Sequence, residues 1–131
     1  MKDGTCVVFK CTSVKNEYDI KYVKKLKLEN KIDWISDIKF NPTSTLCAIG
    51  SHNNRIWIYD TKSWKKAVKR PLAGHTSYIT HIDWSLNGDY LQSNSGDYEI
   101  LFWDINGKRV TASVIKDENW KTWSCVIGFT V

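Results

Sequence analysis

Few residues in this 131-residue chain have obvious reactive chemistry: four cysteines, three histidines, and carboxylates set among serines and threonines. The cysteines stand at Cys6, Cys11, Cys47 and Cys125. None forms a Cys-x-x-Cys pair and no histidine lies at ligand spacing from them, so a structural zinc site is not expected. His75, Ser93 and Asp97 are the residue types of a hydrolytic triad, which needs a nucleophile, a base and an orienting carboxylate. No oxyanion hole is encoded for that set. A phosphate loop, a metal cluster and an acid–base pair of carboxylates are also missing. The expectation is no enzyme and no cofactor.

The elements that position these residues have to come from a chain of ordinary globular composition, 42% hydrophobic and 25% charged, of a size that suits one domain. Seven tryptophans mean that large flat side chains recur at particular places. The net charge of +5 is compatible with nucleic acid, an anionic membrane or an acidic protein surface. No base-stacking or groove-reading motif appears, so a nucleic-acid partner is not expected. No apolar run approaches the ~18 residues of a membrane span, and no signal peptide opens the chain. Reduced thiols in a cytoplasmic protein follow as the expectation.

Sliding the chain against itself gives one ungapped register. Trp34-Ile35-Ser36-Asp37-Ile38-Lys39-Phe40 lies over Tyr78-Ile79-Thr80-His81-Ile82-Asp83-Trp84, and Arg55-Ile56-Trp57-Ile58-Tyr59-Asp60 over Glu99-Ile100-Leu101-Phe102-Trp103-Asp104, each pair 44 positions apart. Within each copy apolar residues alternate with a period of two, the mark of a strand. Asn87-Gly88, Ser95-Gly96-Asp97 and Asn106-Gly107 punctuate the second copy, predicting strands over 78–84, 90–93, 99–104 and an outer, more polar one over 108–115. Pro42-Thr43-Ser44 replaces the first turn in the earlier copy, whose outer strand is predicted over 63–72.

Four antiparallel strands in ~40–45 residues make the blade of a β-propeller. The predicted fold is all-β: an incomplete propeller of two four-stranded blades with partial blades at both ends. The expected division is 1–30, the end of a preceding blade; 31–74 and 75–118, the two repeats; and 119–131, the start of a following blade. Residues 3–10 resemble 53–60, with an outer strand expected over 22–28. Residues 123–129 read as the first strand of the following blade. A propeller needs 4–8 blades to close, so these residues are expected to be a piece of a longer protein.

Gly74-His75 through Trp103-Asp104 resembles a WD repeat. In that family a His, a Ser or Thr, an Asp and a Trp form a buried hydrogen-bonded tetrad, which by position would be His75, Ser93, Asp97 and Trp103. The resemblance makes these residues structural, with Trp as the fourth member that a hydrolytic triad lacks. Lys31, Ile49, Asn53 and Tyr59 occupy the matching positions of the first copy, where apolar packing is expected instead.

Narrower stretches, among them Ser77-Tyr78-Ile79-Thr80-His81-Ile82-Asp83-Trp84, Ser93-Asn94-Ser95-Gly96-Asp97-Tyr98-Glu99-Ile100 and the tail from Trp120 to Phe129, are similar to the echinoderm microtubule-associated protein-like family. That resemblance covers 32–129 and implies a later propeller of a cytoplasmic, cytoskeletal scaffold that binds microtubules and partner proteins. The hydrophobic motif that opens the family's first propeller and the basic, coiled-coil region of some members do not occur in these residues. Two readings follow. In the first, basic clusters around Lys21, Lys24, Lys25, Lys27 and Lys31 and at Lys62, Lys65, Lys66, Lys69 and Arg70 form a rim that meets tubulin's acidic surface. A solvated strand face that guards a sheet edge is the plainer account of the same lysines. In the second, the chain is a general WD-repeat adaptor unconnected with microtubules, with His52, Asn54 and Tyr98 as contacts on loops that also suit turn formation.

Overall fold

The structure, a computed structural model, describes residues 4–28 and 34–125. In chain order its elements are β1 (Thr5–Val14), β2 (Glu17–Lys27), β3 (Ile35–Phe40), β4 (Leu46–Ser51), β5 (Arg55–Asp60), β6 (Leu72–Ala73), β7 (Ile79–Trp84), β8 (Tyr90–Ser95), β9 (Ile100–Asp104), β10 (Arg109–Val110) and one helical turn, α1 (Ala112–Ile115). Two four-stranded antiparallel sheets, β3-β4-β5-β6 and β7-β8-β9-β10, are the two blades, and β1-β2 is a hairpin of its own. The fold is that of a partial β-propeller.

The backbone repeats even where residue types do not. Both blades carry a register shift at the start of the inner strand, between Ile35 and Asp37 and between Ile79 and His81. Ser44 and Gly88, at one repeat position, both have positive φ (57° and 78°), and so do Asn54 and Tyr98 (68° and 64°). Glycine enters that region at little steric cost, whereas Ser44 needs local help. It comes from Asn41, whose Oδ1 accepts from Leu46 N at 3.0 Å and whose Nδ2 donates to the Thr43 and Thr45 hydroxyls. In the second blade Ser85 Oγ accepts from Tyr90 N, the same repeat positions with a different side chain.

The sheets stack face to face. Ala48, Ile56, Ile58 and Leu72 of the first blade pack with Ile79, Ile82, Trp84, Leu91, Leu101 and Trp103 of the second in one buried cluster. A second cluster joins Leu26 and Leu28, from the end of the hairpin, to Cys47, Ile49, Trp57 and Tyr59 on the opposite face of the first blade. Burial of a large apolar side chain contributes about 1.5–3 kcal/mol, so these two interfaces are the main source of cohesion. Their approach is close: a Cβ on Gly50 would stand 2.7 Å from Ile79 Cγ2, closer than van der Waals contact allows. Polar links reinforce the stacking, with Asp37 Oδ2 accepting from Ile82 N at 3.0 Å and Trp84 Nε1 donating to Lys39 O at 3.0 Å.

The outer strands differ from the sequence-based expectation. In place of a strand over 63–72 the chain makes a tight turn, a single bridge between Lys66 and Tyr59, and then only β6. Asp60 holds the turn: its Oδ1 accepts from the Ser63 N–H, the Ser63 hydroxyl and the Lys62 N–H, and these bonds, Ser63's first, draw its pKa down. Pro71 has no N–H to give the ladder and restricts Arg70 before it. In place of a strand over 108–115 the second blade has β10 and then α1, because Ile115 turns inward against Phe102 and Trp120. At the start of the chain the expected strand pieces are parts of one hairpin, turned at Lys15 and Asn16, both with positive φ (51° and 64°). The predicted strand over 123–129 lies mostly outside the described residues. The segment before it runs along β7, with Leu86 N donating to Asn119 O, Lys121 N to Trp84 O and Ser124 Oγ to Ile82 O.

The four cysteines are free thiols. Burial pushes the Cys47 thiol up to about 12 and, with the Asp83 carboxylate nearby, raises that of Cys125 as well, so neither forms the reactive thiolate. Burial raises the half-buried Cys6 too, whereas Cys11 lies exposed on the hairpin. A thiol reagent at mildly alkaline pH is expected to modify Cys11 first, with Cys47 and Cys125 protected until urea is added. Mass spectrometry of peptides from timed samples reads the order, and early labelling of Cys47 would contradict the packing of the hairpin on the first blade.

Candidate functional site

The chain from β6 enters the second blade through Gly74 and His75, which brings His75 over the ends of β8 and β9. His75 Nδ1 lies 2.9 Å from Asp97 Oδ2, and His75 Nε2 lies 2.8 Å from Ser93 Oγ. Trp103 Nε1 donates to the same Ser93 Oγ at 3.0 Å. The structure thus brings His75, Ser93, Asp97 and Trp103 into one hydrogen-bonded chain. A carboxylate only accepts, so Nδ1 carries the proton. In the neutral imidazole Nε2 then accepts from the Ser93 hydroxyl, whose oxygen accepts from the indole.

Asp97 anchors this chain to the backbone. Its Oδ2 also accepts from Thr76 N at 2.9 Å and its Oδ1 from Glu99 N at 2.9 Å. Burial pushes the Asp97 carboxyl up, but the Glu99 and Thr76 amides and the His75 imidazole outweigh it and hold the pKa down at about 2. The connectivity is that of a Ser–His–Asp relay, so access decides what it can do. Ser93 is 0% exposed and its oxygen is already engaged by Trp103. No substrate can reach it.

In the first blade Lys31 lies outside the described residues. Ile49 and Tyr59 are buried in the apolar cluster that faces the hairpin, and Asn53 Oδ1 accepts from the Ser51 hydroxyl instead of joining a relay. Among the described residues no group of three His, Cys, Asp or Glu side chains is placed to hold a metal ion.

Lys62, Lys65, Lys66, Lys69 and Arg70 are all exposed, along the turn and broken outer edge between β5 and β6. Lys66 Nζ sits 4.2 Å above the centre of the Trp57 ring, a cation–π contact that fixes one of them. Lys24 Nζ, from β2, donates to Trp64 O at 3.2 Å. That bond brings Lys24 beside the turn, a proximity that spacing in the sequence could not give.

Of the three loop residues, His52 stacks on Tyr78 at 4.8 Å and tilts against Trp34 at 5.1 Å, bridging the blades. Tyr98 is 86% exposed in the left-handed conformation and Asn54 forms the equivalent turn. The ring ladder Trp34–His52–Tyr78 was not foreseen, although Trp34 and Tyr78 are repeat equivalents. The sequence does not show that His52 would insert between them.

A family model described as "Echinoderm microtubule-associated protein second beta-propeller" matches residues 1–131. Echinoderm microtubule-associated protein-like 4 of Xenopus laevis is 44% identical over 102 residues, which is 74% of this chain and 11% of that protein. The like-3 protein of Mus musculus is 42% identical over 105 residues, 74% of this chain and 11% of its own length. The like-1 protein of Rattus norvegicus is 42% identical over 101 residues, 74% of this chain and 12% of its own length. The chain therefore spans only about a tenth of the length of the curated relatives it matches, 10% to 12%. With two stacked four-stranded blades and a match along its whole length, the chain belongs to the echinoderm microtubule-associated protein family, in the second β-propeller.

Proposed function

We propose that this chain is a segment of a non-catalytic propeller scaffold in the cytoplasmic cytoskeleton that binds protein partners, and that its basic rim meets the acidic surface of a microtubule. On this reading His75, Ser93, Asp97 and Trp103 form a structural tetrad and the contact residues are Lys62, Lys65, Lys66, Lys69 and Arg70. The observation that supports the proposal is the Lys24–Trp64 contact, which sets one lysine of β2 against the turn that carries Lys62, Lys65 and Lys66. The relatives are named as microtubule-associated, and exposed cations on the turn and outer edge suit an acidic filament. The closed tetrad supports the non-catalytic part.

Co-sedimentation of the full chain with microtubules over a salt series tests the contact. Pelleting is expected at low salt and should fade as salt screens exposed charges. The variant carrying Lys62→Glu, Lys65→Glu and Lys69→Glu keeps Lys66 on its tryptophan and is expected to bind at least about tenfold more weakly. If the wild type stays in the supernatant at low salt, or the reversed variant pellets equally, the rim is not the contact. The general-adaptor reading draws support from the exposed rings of Trp34, Tyr78 and Tyr98, and is favoured if pull-downs return partners but no tubulin.

A further inference from the structure

Asparagine followed by glycine has a chemistry of its own. Glycine carries no side chain to shield its amide, so its nitrogen reaches the asparagine side-chain carbonyl carbon more easily than that of any other residue. A bond forms between that nitrogen and Cγ, the side-chain nitrogen leaves as ammonia with the amide proton, and a five-membered succinimide results. Water then opens the ring at one of its two carbonyls. One opening gives aspartate; the other gives isoaspartate, whose main chain runs through the former side chain. The sequence holds two such pairs, Asn87-Gly88 and Asn106-Gly107.

The two turns are alike at the nucleophile. Both asparagines are exposed to water. Gly88 and Gly107 have φ of 78° and 83°. Gly88 N donates to Ser85 O at 2.9 Å, and Gly107 N to Asp104 O at 3.0 Å. They differ at the carbon that is attacked. Asn87 Oδ1 accepts from Ser85 Oγ at 2.5 Å and from Asp89 N at 3.1 Å. Ring closure requires that side chain to rotate out of the turn, which breaks both bonds. Asn106 uses only its main-chain N–H, bonded to Asp104 Oδ1 at 2.9 Å, and its side chain makes no hydrogen bond among the described residues.

We infer that Asn106 is a deamidation site, converted with time to aspartate and isoaspartate while Asn87 is held back by its turn. Its place in the fold gives the two products different effects. A Cβ on Gly107 would stand 2.9 Å from Val68 Cγ1 and 3.5 Å from Leu72 Cδ1, so this turn sits tightly against the first blade. Aspartate before glycine still suits the turn. Isoaspartate adds a methylene to the main chain, which pushes Gly107 against Val68 and shifts β10 from its register on β9, where Arg109 pairs with Trp103. The outer contact between the blades is thereby loosened. Either product also sets a new negative charge beside Lys108 and Arg109. The inference is independent of what the basic rim binds.

The full chain, kept at mildly alkaline pH and physiological temperature and digested at intervals, tests this. Mass spectrometry reads deamidation at each site, and chromatography separates aspartate from isoaspartate peptides. Asn106 is expected to convert on the order of tenfold faster than Asn87, because two hydrogen bonds have to break first at Asn87. In urea, where both turns are lost, the two rates should draw together. Ser85→Ala removes one donor and should speed Asn87 severalfold with Asn106 unchanged. The melting temperature of aged wild type should fall as isoaspartate accumulates, whereas Asn106→Asp and aged Asn106→Ser should melt with fresh wild type. Equal rates in the folded chain, or a difference of the same size in urea, overturns the assignment. A melting temperature that does not follow isoaspartate content overturns the loosening of the blades.

Discussion

Replacing Trp84 by alanine is expected to cost about 3–5 kcal/mol, the range for removing a buried indole from a packed core. Trp84 is 0% exposed, lies in the cluster shared by the two blades, and gives its Nε1 proton to Lys39 O of the first blade at 3.0 Å. The substitution leaves a cavity on the seam and an unpaired carbonyl beside it. Because the residue packs between the two blades, they should lose stability together, seen as one urea transition shifted to lower concentration. Trp84→Phe keeps most of the ring and loses the hydrogen bond, with a cost of about 1–2 kcal/mol. Leu86→Ala, exposed in the next turn, should change stability by less than about 0.5 kcal/mol. Two separate transitions, or an alanine variant as stable as the wild type, would show that the blades do not lean on this residue.

Asp97→Ala is expected to be the second most damaging change described here, at about 2–4 kcal/mol. It removes the acceptor for Thr76 N, Glu99 N and His75 Nδ1 together, and leaves the Nδ1 proton of a buried imidazole without an acceptor. The same carboxylate gives a pH signature. Its pKa moves from 3.8, the ordinary value, to about 2 in the folded chain, so it supports the fold fully above about 4 and loses that support as pH falls toward 2. Asp97→Asn has no such charge to lose. The gap in urea midpoint between wild type and Asp97→Asn should therefore be widest near neutral pH and close between pH 4 and 2. A gap that stayed constant over that interval would mean that the carboxylate is not ionised against His75 and the two amides.

Much of this architecture can be read from residue order, and the parts that cannot share a cause. The inner three strands of each blade are buried on both sides or pinned by turns, so alternation and Asn-Gly signals locate them to within a residue or two. Gly74-His75 and Trp103-Asp104 likewise mark the relay, because each member needs a specific donor or acceptor. The outer strands make few contacts, and tertiary demands decide them: Pro71 breaks one, and the burial of Ile115 curls the other into a helical turn. The hairpin turn at Lys15 and Asn16 carries no glycine, so its positive φ values had only Asn16, a residue that tolerates that region, as a signal. The nearness of Lys24 to Trp64 and the insertion of His52 between two rings depend on how blades stack, which no local pattern reports.

The carboxylates on the inner strands give the stack a direction. Asp37 reaches forward to the main chain of the second blade at Ile82, and Asp83, two places further along in the repeat, reaches forward to Thr122 through its amide and hydroxyl. Each of these carboxylates thus reaches the chain that follows it through a backbone amide, which is present whatever residue stands there. Neighbours can then drift in composition while their angular pitch is held, and a blade docked in reverse order would leave carboxylate oxygens without their amide donors. Head-to-tail polarity of this kind lets a ring assemble from dissimilar sheets without losing its order.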